Sequence, residues 1–156
     1  MAHLRKAIRE HVVTTCTGLS TTGSNVFETR YFPLQTANLP AILVYTNEES
    51  IEEYTLGTST RTQVRILQLI IEAHAQGTSD IDDTLDTISE EVEEAMCVDP
   101  SRGGNAKDTK LVNTEYEFDT GSQKTGLARF TYAITYATKE NAVQTGNWLW
   151  AQIELN

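Results

Sequence analysis

Cysteine is nearly missing from this sequence. Cys16 and Cys97 stand alone among 156 residues, with no CxxC pair and no His/Cys spacing of a metal site. A disulfide framework is thereby excluded, a reducing compartment is expected, and both thiols are expected in the core. Long apolar runs are missing too. No segment approaches the roughly 20 residues that span a bilayer, and "MAHLRKAIREHVV" lacks the unbroken apolar stretch of a secretory leader, so a soluble chain without membrane contact is expected. Positive charge is scarce: 12 Lys and Arg stand against 22 Asp and Glu, a formal charge of −10. A sequence-independent grip on DNA or on an anionic membrane needs the opposite balance.

Catalytic signatures are equally sparse. His3, His11 and His74 show no HExxH and no paired spacing for a metal, so surface roles are expected for all three. "SRGGNAKDT" has glycines and a lysine without the GK[ST] ending of a phosphate loop, and GxSxG is absent. The one decoy is "EFDTGSQ". Its Asp-Thr-Gly is the signature of aspartic proteases, in which two carboxylates share a proton. A single copy at Asp119 would have to work as a dimeric hydrolase. The same residues fit a hairpin turn between two strands, which is the preferred reading. The sequence therefore supports no catalytic residue, no cofactor and no metal.

What is present is a clear succession of elements. Leu4, Ile8, Val12 and Cys16 recur at helical spacing and Gly18 follows as a C-terminal cap, so Ala2 to Thr17 reads as an amphipathic helix. After the loop "GLSTTGSN" come the β-type "VFETRYF", an extended connection bracketed by Pro33 and Pro40, and the buried strand "AILVY". Asn47 to Ser59 reads as an acidic loop. Gln63 to Glu72 reads as a strand covered on both sides. Ile81, Leu85, Ile88, Val92 and Met96 define a second helix, with Ser79 and Asp82 placed as a capping box. "CVDPSRGGNAKDTK" reads as a loop, and "LVNTEYEF" and "LARFTYAITYAT" as strands joined by "DTGSQKTG".

The order α, β, β, β, α, β, β predicts one α+β domain: a mostly antiparallel twisted sheet of about four to five strands, with two helices on one face. In the last strand Phe130, Tyr132, Ile134 and Tyr136 share one side, suited to lie beneath the helices. Arg129, Thr131, Ala133, Thr135 and Ala137 share the other, which is small and polar. Twelve of the 22 acids lie in two stretches without a basic residue, 48–53 and 80–94. On the second helix, Asp82/Asp86, Asp86/Glu90 and Glu90/Glu94 are like-charge neighbours. Such a face is either solvated, or opposed by basic side chains of another subunit, for which Arg5, Lys6 and Arg9 are candidates, or set to repel passing nucleic acid.

Two segments carry a family resemblance. "LPAILVY" at 39–45 resembles a Phe-Pro-Ala-Val-Ala-Val-Tyr strand, and "FTYAITY" at 130–136 a Leu-Thr-Tyr-Val-Ile-Thr-Tyr strand, of the tail terminator proteins of long-tailed bacteriophages. These are also called minor tail protein U or tail completion proteins. The order of elements between the segments is similar as well, and the resemblance spans Ala2 to Ala137. It implies a homo-hexameric ring that caps the head-proximal end of the tail tube, ends tube polymerisation and presents the joining surface to the head. Implied partners are other copies of the chain, the tail tube protein and a neck or head-completion protein. DNA would pass through without specific binding. The implied location is the virion, after assembly in the host cytoplasm. A neck or head-closure connector is the alternative within the same class.

The resemblance divides the chain into a domain at 1–138 and an extension at 139–156, where Trp148 and Trp150 either fold back or anchor a neighbour. Candidate interface residues are Arg5, Lys6, Arg9, Glu48, Glu49, Glu52, Glu53, Glu90, Glu94, Arg129, Thr131, Thr135, Trp148 and Trp150. The acidic loop 47–59 is a candidate for axial contact.

Overall fold

The computed structural model describes residues 3–29, 39–53, 61–77, 79–119, 124–140 and 143. Helix α1 (Leu4–Cys16) precedes strands β1 (Val26–Phe27), β2 (Ala41–Glu53) and β3 (Thr62–Gln76); helix α2 (Ile81–Cys97), β4 (Asp108–Asp119) and β5 (Thr125–Lys139) follow. This is the order expected. The strands form one sheet, β1-β2-β3-β5-β4, parallel only between β1 and β2. At its centre β3 and β5 pair along their whole length, from Thr62 opposite Lys139 to Gln76 opposite Thr125.

Period-two alternation sorts the side chains of these central strands. Leu67, Leu69, Ile71, Ala73 and Ala75 of β3 join Ala128, Phe130, Tyr132, Ile134 and Tyr136 of β5 on one buried face. Both helices lie on it, α1 over β2 and α2 over β3 and β5. They meet it through Leu4, Ile8, Val12 and Cys16 and through Leu85, Ile88, Val92 and Met96, all buried. The aromatic ladder thus lies where its pattern placed it. Gly126 makes room for the start of α2, since a Cβ there would stand 2.8 Å from Ile81 Cγ2 and 2.9 Å from the Phe118 ring.

Two β-bulges shape the sheet. The pairing slips between Thr46 and Glu48 on β2 and between Leu111 and Asn113 on β4. Thr46, Leu69, Tyr132 and Leu111 form a single row across four strands, so both bulges flank the same row and bend the sheet there. The β2 bulge also reverses parity. Beyond it Glu49 and Ile51 lie opposite Leu67 and Arg65 on the helical side, while Glu48, Ser50 and Glu52 take the helix-free side.

Several expectations need correction. The acidic segment is not a loop over its first half: 47–53 continues β2, and 54–60 lies outside the described residues. Strand β1 is two residues long, and 30–38 likewise lies outside. Ser79 forms no capping box, because Asp80 is the N-cap of α2 and makes no side-chain cap bond. His3 caps α1 instead, its Nδ1 accepting from Arg5 N at 3.0 Å. Cys97 is exposed, and only Cys16 is a core thiol. No described helix is long and apolar enough to cross a membrane.

The fully buried Phe130 sits mid-ladder in the core beneath the helical layer. Phe130→Ala is expected to cost about 3–5 kcal/mol in urea unfolding, through lost burial and a residual cavity. A loss below about 1 kcal/mol would mean that the ladder is not the core.

Candidate interaction surfaces

Beneath the start of α1 the parity reversal creates a buried polar cluster. Glu49, its side chain 8% exposed, lies 2.9 Å from Arg5 Nη1 and 2.9 Å from Arg65 Nη1, and accepts a hydrogen bond from the Tyr136 hydroxyl. Arg65 Nε donates to Thr138 Oγ1 at 2.9 Å, and the His3 ring stands edge-on to Tyr136. Burial and then the Glu49 bond push the Tyr136 hydroxyl upward, which keeps it a donor. The other cations of α1 also have partners in their own chain, Lys6 with Glu10 and Arg9 with Glu28 at 2.6 Å.

A second network lies on the helix-free face. Here a trough of about 590 Å³ is lined by Tyr45, Asn47, Gln68, Ile70, Glu72 and Arg129, with Val112 and Asn113 of the β4 bulge along its far wall. Glu72 accepts from the Tyr45 hydroxyl and from Arg129 Nε at 3.2 Å, and lies 2.9 Å from His74 Nε2. Arg129 Nη1 also reaches Glu115 at 3.1 Å and Glu117 at 3.4 Å. Burial works to raise the Glu72 pKa, yet hydrogen bonds from His74, Tyr45 and Arg129 hold it down to about 2. Thr131 sits between Ile70 and Asn113, and Thr135 between Ile66 and Asp108. Glu48 and Glu52 are exposed on the same face, while the Glu53 side chain and both Trp148 and Trp150 lie outside the described residues.

The third surface is α2. Asp82, Asp83, Asp86, Glu90, Glu93 and Glu94 are exposed along it. Asp82 and Asp83 complement the positive end of the helix dipole, but no basic residue occupies the last turn. Arg102 supplies that charge from the following loop. Fully buried and at φ +50°, it donates to the carbonyls of Met96 and Asp99, and its Nη1 lies 3.2 Å from Met96 Sδ. Asp99 in turn accepts from Ser101 and from Gly103 N and is held down to about 2 by those bonds; it also lies 3.6 Å from His11. By its composition alone this segment is a plain loop. An arginine beside two glycines, just past a helix without a terminal cation, was the available signal.

Asp119 ends β4 as an exposed residue. Among the described residues, no group of three or more His, Cys, Asp and Glu could hold a metal ion.

A carboxyl depressed on folding adds stability above its unfolded pKa and loses it as pH falls through the folded one. For Glu72 that contribution, up to about 3 kcal/mol, is complete above about pH 4.5 and vanishes toward pH 2. Glu72→Gln is expected to flatten the acid limb of denaturant-derived stability across that window. An acid limb with unchanged slope would show that Glu72 carries no such linkage.

A sequence profile of the phage minor tail protein U family matches residues 3–136. No curated protein sequence matches the chain. Among solved structures, a chain described as "Virion of native gene transfer agent (GTA) particle" is 12% identical at a TM-score of 0.49, over 85% of this chain and 94% of that one. With the profile covering both helices and nearly all of the sheet, the chain belongs to the phage minor tail protein U family.

Proposed function

We propose that this phage tail protein is the tail terminator, a ring of six copies that caps the head-proximal end of the tail tube. The family match across residues 3–136 carries the reading. Closure into a ring demands two different, complementary surfaces on each subunit. The fold offers contrasting surfaces: a helix-free sheet face with its polar trough, and an acidic helical layer on the other side. Arg129, Thr131 and Thr135 lie on the first, Glu90 and Glu94 on the second.

The role involves no chemistry. It ends addition of tube subunits and presents the surface that the neck or head-completion protein joins. A net charge of −10 suits a ring through which DNA slides, because carboxylates repel phosphate instead of holding it. The extension from 139 onward, with Trp148 and Trp150, is proposed as an anchor for an adjacent subunit or a neck protein.

A phage with a nonsense codon early in this gene tests the role. Electron microscopy of lysates is expected to show filled heads beside overlong, unjoined tails, with normal length restored by the intact gene in trans. Tails of normal length that fail to join would favour a neck connector, and normal joined particles would refute any role at the tail end.

A further inference from the structure

A groove follows the seam between α2 and β4, the strand at the end of the sheet order, which among the described residues pairs with β5 alone. Helix α2 begins beside Phe118, where Ser79, Ile81, Asp82, Phe118, Asp119 and Lys124 enclose about 210 Å³. It ends beside Thr109 and Leu111, where a second hollow of about 150 Å³ also takes in Glu93 and Cys97. Tyr116 lies between the two hollows. Although aromatic and on the helical side of the sheet, Tyr116 and Phe118 remain 47% and 50% exposed. Asp82, Asp86 and Glu93 fall on one narrow stripe of α2, at i, i+4 and i+11. Tyr116 OH lies 3.5 Å from Asp86 Oδ1, and burial followed by the charges of Asp86, Glu93 and Asp82 raises the Tyr116 pKa. Asp86 thus touches the exposed aromatic residue, and Asp82 and Glu93 lie on the same stripe of the helix.

A strand edge of twelve residues, an aromatic floor and an acidic wall define one kind of occupant. We propose that this seam binds an extended segment of another polypeptide, rich in Lys or Arg alternating with apolar residues, as a sixth strand against β4. Main-chain hydrogen bonds to β4 would give affinity, apolar side chains would cover Tyr116 and Phe118, and cations would meet Asp82, Asp86 and Glu93. Glu115, Glu117 and Asp119 add negative charge on the other face of the same strand, only part of which Arg129 offsets through its contacts with Glu115 and Glu117. Among the described residues a second copy of this chain offers few cations for such a segment, because Arg5, Lys6, Arg9, Arg61, Arg65 and Arg129 are paired with carboxylates of their own chain. The inference stands apart from ring formation, which is read from oligomeric state.

The probe is a short synthetic peptide alternating lysine with valine, followed by fluorescence anisotropy and by amide hydrogen exchange of the whole protein. Binding that weakens with salt and slows exchange in β4 is expected, with no binding of the matching glutamate-valine peptide. Combined Asp82→Asn, Asp86→Asn and Glu93→Gln should weaken binding about tenfold, whereas Asp83→Asn with Glu94→Gln, outside the stripe, should change it less than about twofold. Several results would overturn the proposal: no binding of the lysine peptide, equal loss in both variants, or protection confined to other strands. Protection of β4 that appears without peptide as protein concentration rises would assign the edge to a second copy and overturn it as well.

Discussion

The antiparallel pairing of β3 with β5 is the constraint from which the remaining structure follows. With a side-chain period of two, one residue of slip would exchange Leu67, Leu69 and Ile71 for Ile66, Gln68 and Ile70 beneath the helices. Gln68 and Glu72 would then lie under α1 and α2 without partners, beside Phe130 and Tyr132, and Leu67, Leu69 and Ile71 would be bared. The register is thus held by both faces at once, by the apolar ladder on one side and by the Glu72–Arg129 pair, directly opposite each other, on the second.

Charge is arranged around that frame in two ways. Where the β2 bulge swings Glu49 under α1, two arginines and a tyrosine hydroxyl meet it. Ion pairs removed from water gain little over an apolar alternative but cost several kcal/mol when one partner is lost, so the cluster fixes the position of α1 more than it adds stability. The acids of α2 are treated differently. Asp82, Asp86, Glu90 and Glu94 repel along the helix, and the fold tolerates this because the buried stripe Leu85, Ile88, Val92 and Met96 holds the helix in place.

Much of this was legible from periodicity. The stripes of α1 and α2, the ladder of β5, the hairpin and the order of seven elements all follow from spacing, because spacing reports which face meets the core. The bulges did not. A run such as "YTNEESIEE" looks like loop to any reading based on polarity, and nothing in it reveals that Asn47 is the extra residue that sends Glu49 inward. Arg102 and Glu72 were missed for a related reason: each is a charge made tolerable by partners far away in sequence, visible only once α2 and its loop, or β3 and β5, are side by side. For the candidate surfaces, the sequence identified the acidic helix and the small polar face of β5, but not the exposed Tyr116 and Phe118 along the seam.

The central claim is that this fold serves as one subunit of a closed, six-membered ring at a tail end. Native mass spectrometry of the purified protein, over a range of concentrations and with tail tubes added, addresses it most directly. A hexamer, formed alone or on the tubes, is the predicted result; a dodecamer, or a dimer that no concentration or tube converts, would contradict it.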